Sequence, residues 1–416
     1  MALPCGSGRR WTRAAMMTFC LFFLMPMSSF GSRNTNTIFD KKQKLEVQQQ
    51  LKHLNRPALK SIKSPDGDII DCVNINKQPA FDHPLLKNHT IQMRPSSYPE
   101  GFSFDESNDV SSNSEPKFTQ PWKLNGRCPE GTIPIRRTKE EDLLRAGFAA
   151  NYGRKKHHSI PSAQYSADQV IHEYAVLSEQ GDKYYGMMAE INVWNPHTQQ
   201  TTEFSLSQFW MTAGRHGQDL NTIEAGIMVH EYLYGDNNTR LFTYWTDDSY
   251  QNTGCYNLVC SGFVQVNNQI AMGATITPYS NYDGTQSAVK FYVWKVDING
   301  SGDWWMKIGD RDFGYWPSSI FSILSNSASS VQWGGEVINL MQDGQHTTTQ
   351  MGSGHFPEEG PGKASFFQNL NVIDGLKTLT GPRNSQTIIT NPNCYNLINS
   401  GDSFYFGGPG RNPNCP

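Results

Sequence analysis

The sequence predicts an all-β domain over residues 161–416, an antiparallel β-sandwich of two sheets, preceded by a small α+β region. Three observations carry this. From about Tyr165 onward, short β-rich runs recur between Gly, Asn, Asp and Pro: YYGMMAEINVW, TEFSLSQFWM, TRLFTYWT, SGFVQV, VKFYVWKV and DWWMKIG. The turn signals lie too close together for the crossover helices of a parallel sheet. Composition agrees, because 18% charged residues against 12% aromatics, with 36 Gly and 17 Tyr, suits many strands and turns better than long helices. A chain of 416 residues also exceeds what one core usually serves, which leaves room for a second folded region.

In chain order, the first 31 residues read as a secretory signal peptide. Arg9, Arg10 and Arg13 precede an apolar stretch from Ala14 to Pro26, and small residues follow through Ser28, Ser29 and Gly31. The apolar run is shorter than the ~20 residues a membrane anchor needs. Export is expected, to the extracellular space or cell wall with the vacuole as alternative, and no membrane attachment after signal cleavage. Residues 32–160 form the α+β region. Within it, 40–54 reads as a helix with Leu45, Val47, Leu51 and Leu54 toward one side, stopped by Asn55, Arg56 and Pro57. A turn and strand follow at Asp66–Ile75, and Thr138 to Glu141 has the T-x-x-E pattern of a capping box opening a helix through Leu144. The region ends in a Gly- and Ser-containing stretch with Arg154, Lys155, Lys156, His157 and His158, which reads as a solvated basic loop and a processing site.

Signal removal takes Cys5 and Cys20 and leaves Cys72, Cys128, Cys255, Cys260, Cys394 and Cys415, an even set in an oxidising compartment. Sequence proximity favours Cys255 with Cys260 and Cys394 with Cys415, which leaves Cys72 for Cys128. No CxxC pair supports a zinc site, and His346 and His355 lack ligand-like spacing to a cysteine pair. Sequons at Asn88, Asn237 and Asn299 suit a secreted glycoprotein. A formal net charge of -3, with no basic stripe, argues against a nucleic-acid partner.

Two acids stand out: Glu224 in TIEAGIMV and Glu336 in VQWGGEVI. Read as strands, the first run puts Ile223, Ala225, Ile227 and Val229 on one face and Thr222, Glu224, Gly226 and Met228 on the other. The second puts Val331, Trp333, Gly335 and Val337 opposite Gln332, Gly334, Glu336 and Ile338. Each acid has glycine as a same-face neighbour, which leaves room for another backbone to approach and suggests the floor of a groove. A carboxylate on a sheet face is most often a solvated surface group. Here the neighbours are Trp, Gly, Ile and Val. Two poorly solvated acids in one groove divide into a charged base and a protonated acid, a pair able to hydrolyse a peptide or a glycosidic bond without metal or organic cofactor. Ser353 and His355 in MGSGHFP read as a structural loop, since no G-x-S-x-G elbow is present. The aromatic residues, including Trp210, Trp245, Trp294, Trp304, Trp305, Trp316 and Trp333, read mainly as core.

The segments NTIEAG, YGDNNTRLFTYWT, TGCYNLVCSGFVQV, GYWPSSIF, VQWGGEV and QMGSGHFPEEGPGKASFF, in this order, resemble the plant neprosin family of glutamic peptidases. Upstream, LNRPALKSIKSPDGDIIDCVNINKQPAFDHPLLKNHTIQ and RCPEGTIPIRRT are similar to the neprosin activation peptide. The resemblance spans nearly everything after the signal. It implies a secreted zymogen in which residues 32–160 inhibit the catalytic sandwich of residues 161–416, with cleavage after proline at acid pH. Motif by motif it places the catalytic glutamates at Glu224 and Glu336 and implies proline-containing peptide substrates. One departure stands out. The family commonly carries a Trp after NTIEAG and a Pro before YGD, where this chain has Ile227 and His230-Glu231. A carbohydrate-active or cell-wall-binding sandwich, or a catalytically silent family member, is the alternative reading.

Overall fold

The computed structural model describes residues 33–101, 118–147, 151–155, 172–297 and 302–416. The signal peptide, Lys156 to His158 of the basic stretch, the boundary at residue 160 and the sequon at Asn299 lie outside the described residues. Residues 46–416 form one unit by their internal contacts. The leader region builds α1 (Arg33–Leu54), then β1 (Ala58–Lys63), β2 (Ile69–Asn74) and β3 (Thr132–Arg136) in an antiparallel sheet, then α2 (Glu140–Arg145). A disulfide joins Cys72 in β2 to Cys128 just ahead of β3. Helix α1 begins earlier than its apolar spacing predicts. Val47 and Leu54 are buried while Leu45 is 59% exposed, so the apolar stripe is narrower than the four residues suggest. The expected capping box is shifted by one residue: the Lys139 N–H donates to the Asp142 carboxylate at 3.0 Å, so the reciprocating acid is Asp142 and not Glu141.

The sandwich follows, as predicted, from strands whose side chains alternate between two faces. They are β4 (His172–Tyr184), β5 (Gly186–Asn192), β6 (Ser205–Ala213), β7 (Asn221–Val229), β8 (Arg240–Thr246), β9 (Val264–Gln265), β10 (Ala288–Lys295), β11 (Trp304–Ile308), β12 (Arg311–Trp316), β13 (Ala328–Ile338), β14 (Ser365–Ile373), β15 (Leu379–Thr380), β16 (Ser385–Ile389), β17 (Asn396–Asn399) and β18 (Phe404–Gly407). A short helix α3 (Glu231–Tyr234) leads from β7 toward β8. One sheet runs β16-β4-β13-β6-β7-β8; the other runs β17-β18-β14-β5-β10-β11-β12-β9 with β15 beside β14. Pairing in both is antiparallel. Between them lies the main core: Phe209, Met211, Ile223, Ala225, Val331 and Trp333 of the first sheet share it with Ile191, Phe291, Val293, Met306 and Phe367 of the second. The seven tryptophans named above are all buried.

What sets this sandwich apart is that its outer faces are covered as well. Val47, Leu54, Leu143, Ala146 and Tyr152 of the leader region join Leu206, Trp210, Met228 and Tyr244 on the outer face of the first sheet. On the second sheet, Ala80 packs among Trp294, Trp305 and Tyr315, the Trp294 Nε1–H donates to the Ser97 carbonyl at 3.1 Å, and the Tyr98 hydroxyl donates to Asp312 at 2.6 Å. In the sandwich Cys255 is bonded to Cys260 and Cys394 to Cys415, the pairs that sequence proximity favours. Among the described residues, no helix is long and apolar enough to cross a membrane.

Candidate active site

Glu224 lies in β7 and Glu336 in β13, and both side chains are fully buried, at 0% exposure. The surface-acid reading therefore fails for both. Register places them on one face of the first sheet. Across the intervening strand β6, Glu224 stands opposite Trp210 and Glu336 opposite Leu206, and residues paired directly across a ladder project to the same side. Between Leu206 and Trp210 on that face is Gln208. It is a diagonal neighbour of each acid, a relation that spans roughly 7–8 Å. The acids are thus not ladder partners; they flank Gln208 on one face of the sheet.

The glycines beside the acids serve the sheet itself. A Cβ on Gly226 would lie 2.2 Å from the Ser207 carbonyl oxygen, and one on Gly334 would lie 2.3 Å from that of Ala175. The backbone that approaches them is the neighbouring strand, β6 in one case and β4 in the other. The groove floor expected from glycine is in fact a tight strand contact.

Glu224 is surrounded by donors. The Tyr250 hydroxyl donates to its Oε1 at 2.7 Å, the Thr222 hydroxyl to Oε1 at 2.9 Å and the Gln208 amide to Oε2 at 3.2 Å. The fourth donor is the ammonium of Lys155, ion-paired with Oε2 and itself only 5% exposed in its side chain. Three tyrosine rings enclose that ammonium: Tyr244, Tyr250 and Tyr256, with centroids at 4.9, 5.3 and 5.9 Å. Lys155 was expected in a solvated loop. A buried carboxylate attracts a partner cation strongly enough to draw it out of water, and a run of basic residues in sequence carries no sign of that.

Glu336 accepts from or donates to the Nδ1 of His172, at 2.6 Å, and its Oε2 has no hydrogen-bond partner among the described residues. Tyr256 connects the two acids electrostatically: burial raises its phenol well above the ordinary value, and the charges of Glu224 and then Glu336 raise it further. Burial together with the Glu224 charge and hydrogen bond does the same to Tyr250. Both phenols thus stay protonated, and that of Tyr250 donates to Glu224.

Lys155, His172, Gln208 and the three tyrosines escaped the sequence reading. For Gln208 a signal existed: in SLSQFWM it shares the alternating face of Leu206 and Trp210, a lone polar group in an apolar row. The altered segment 227–231 also finds its place. Ile227 points into the core between the sheets, away from the acids, so it forms no wall of the site. His230 packs against Phe204 and Tyr256 on the acid-bearing side, with ring centroids 5.3 and 6.2 Å apart. His355 bonds Glu359 at 2.9 Å in a loop, apart from this cluster. Asn88 and Asn237 are exposed.

A second buried cluster ties the leader region to the sandwich. Asp68, ahead of β2, accepts from Arg136 Nε at 2.9 Å and from Arg240 Nη1 of β8 at 2.6 Å. Arg136 also meets Asp142 at 3.1 Å and the Tyr234 carbonyl at 3.0 Å, and Arg240 meets Asp236 at 3.2 Å. Burial alone would raise the Asp68 carboxyl, but Arg136 and Arg240 outweigh it and hold it below its ordinary value of 3.8.

An antiparallel sandwich with two buried glutamates on one sheet face, one of them capped by a lysine from the preceding region, defines a precursor whose site is covered by its own leader. Residues 201–409, just over half the chain, match Neprosin, and residues 61–178 match the Neprosin activation peptide; the chain belongs to the neprosin family. The activation-peptide match runs through Lys155 and into β4, so it takes in the partners of both acids, Lys155 and His172. Among solved structures, the chain is similar to scytalido-glutamic peptidase bound to a peptide-based transition state analog, at 12% identity and a TM-score of 0.33 over 57% of this chain and 98% of that one. It is also similar to SCP-B, a member of the Eqolisin family of peptidases, in complex with the tripeptide Ala-Ile-His, at 10% identity and a TM-score of 0.32 over the same shares. A β-porphyranase from the human gut bacterium Bacteroides plebeius matches at 8% identity and a TM-score of 0.23 over 44% of this chain and 73% of that one. These three overlaps are too loose to carry weight.

Proposed function

We propose that this protein is the secreted zymogen of a glutamic endopeptidase that cleaves peptide bonds after proline at acid pH. The observation that supports it most is the burial of two same-face glutamates under a leader region that supplies a lysine to one of them. In the processed enzyme Glu224 loses Lys155 and keeps the donors Tyr250, Thr222 and Gln208, a setting that suits a carboxylate charge and the role of general base toward water. Glu336, with one oxygen on His172 and the other unpartnered among the described residues, is the proton donor to the carbonyl oxygen and then to the leaving amine. Water attacks the carbonyl carbon as Glu224 takes its proton. The tetrahedral intermediate returns its hydroxyl proton to Glu336, which passes it to the nitrogen as the C–N bond breaks, and Glu224 hands the water's proton on to Glu336, so that each acid ends as it began.

Removal of the leader region activates the enzyme. Titration of its buried anchor is not the trigger in mild acid, because Asp68 stays ionised below its ordinary range. Covalent cleavage between Lys155 and His172, in the connection that joins the partners of the two acids, is the step that frees the site. The test is incubation of the purified precursor at about pH 4, near the ordinary carboxyl range. Shortening of the chain and hydrolysis of a proline-containing peptide, both lost in Glu336→Gln, are expected. An intact, active-site-competent chain that hydrolyses a polysaccharide and no peptide would overturn the proposal.

A further inference from the structure

The place occupied by Lys155 is built by the sandwich, not by the lysine. Its floor is Glu224 of β7, and its walls are Tyr244 of β8 with Tyr250 and Tyr256 of the segment after β8. The turn that aims Tyr250 is held mainly by the sandwich's own groups, the leader region adding Arg154 Nη1, which donates to the Asn252 carbonyl at 3.0 Å. Ser249 and Tyr250 take left-handed φ values of 59° and 64°, a conformation that persists only when surroundings enforce it. Here the Tyr250 N–H donates to Thr246 Oγ1 at 3.0 Å, and Asp248 accepts from the backbone N–H groups of Gln251, Asn252 and Thr253 at 2.8 to 3.2 Å. Tyr256 follows Cys255, whose disulfide to Cys260 pins the next turn. Thr222, Gln208 and Tyr250 hold the floor in place.

A carboxylate ringed by three electron-rich faces is the chemistry that selects an alkylammonium ion, through an ion pair at one side and cation–π attraction at the others. We infer that, once Lys155 leaves, this cage binds primary alkylammonium groups such as a lysine side chain, and that such cations occupy Glu224 and inhibit the processed enzyme. The inhibition rests on the proposed role of Glu224; the binding does not. A peptide with lysine seated at this position would act as an inhibitor, not a substrate.

The binding is tested on the full chain by replacing Lys155. Lys155→Ala leaves the cage vacant and its carboxylate unpaired, and a melting-temperature drop of about 5 °C is expected. n-Butylammonium chloride at tens of millimolar restores most of the loss, while 1-butanol and sodium chloride at equal concentration do not. Lys155→Met, which fills the cage with an uncharged chain, gains nothing from butylammonium. An equal response of Lys155→Ala, Lys155→Met and the unaltered chain overturns the inference. Should Lys155→Ala not fold, the processed protein decides: titration with butylammonium must quench or shift tyrosine fluorescence where 1-butanol does not, and a flat titration overturns the inference. A processed protein that binds butylammonium yet cleaves no peptide would sink the peptidase reading and leave the cage standing.

Discussion

Replacing Asp68 by Asn tests how the leader region is held. The change keeps shape and one acceptor oxygen but removes the charge shared by Arg136 and Arg240, both of which stay buried. Breaking one side of a buried ion pair costs about 3–5 kcal/mol. The low end applies here, since Arg136 keeps Asp142 and the Tyr234 carbonyl while Arg240 keeps Asp236 and the Gly273 carbonyl. About 3 kcal/mol corresponds to roughly a 150-fold weaker hold on the leader region once the connection is cut. In the uncut chain it corresponds to a melting temperature lower by roughly 5 °C. The sign with pH follows from a depressed folded-state value. Asp68 contributes its full stabilisation above the ordinary 3.8, and that contribution fades only as pH falls through the lower folded value. Thermal denaturation of both chains from neutral pH down to about pH 2 therefore shows a gap that is constant to mild acid and closes below the ordinary carboxyl range. A gap that has already closed at about pH 5, or no gap at neutral pH, refutes the charge network as the anchor.

Three other outcomes follow from the same geometry. His346 is buried and bonds Glu173 at 2.8 Å; burial would lower its value, but the Glu173 bond and charge raise it above 6.5, so its stabilisation is complete below 6.5 and lost as pH rises through the folded value. The stability gap between the unaltered chain and His346→Gln, read by denaturant unfolding, should be widest in acid and shrink in alkali. Gln208→Leu removes a donor to Glu224 without a change of size class and should lower kcat by about 100-fold while the chain keeps its melting temperature within a few degrees. Replacing Cys72 and Cys128 by Ser opens a loop with a sequence separation of 56 in the leader region, a loss of about 4 kcal/mol on the chain-entropy view, seen as earlier release of that region in limited proteolysis.

The sandwich was legible because a two-residue period survives in sequence: the parity of Ile223, Ala225 and Ile227 against Glu224 places the acid correctly, and so does that of Trp333 against Glu336. What surrounds each acid was not legible. Lys155 meets Glu224 across 69 positions and His172 meets Glu336 across 164, and neither pairing leaves a local pattern. Period alone also cannot say whether the second face of a sheet meets water. Here both faces of β7 are buried because the leader region lies over one of them, so an alternation that usually marks a half-exposed strand marks a fully enclosed one. The same blindness misread Lys155 as solvated.

The order of activation follows from which contacts can titrate. Lys155 is held to Glu224 inside an uncut chain, where even a weak contact benefits from an effective concentration in the millimolar range. Near it, the Tyr256 N–H donates to the Gly153 carbonyl at 2.7 Å, and Gly153 has φ of 73° with Val259 2.8 Å from where a Cβ would stand, so the approach to the cage is fitted closely. Further away the Asp68 anchor resists mild acid. On the proposed zymogen reading the Asp68 anchor therefore stays in place in mild acid, and cutting between Lys155 and His172 comes before release. A Glu336→Gln chain, unable to cut itself on this proposal, should keep its leader region at about pH 4 and lose it only when processed enzyme is added. If that chain sheds the region unaided and uncut, acid is the trigger and the covalent step is secondary.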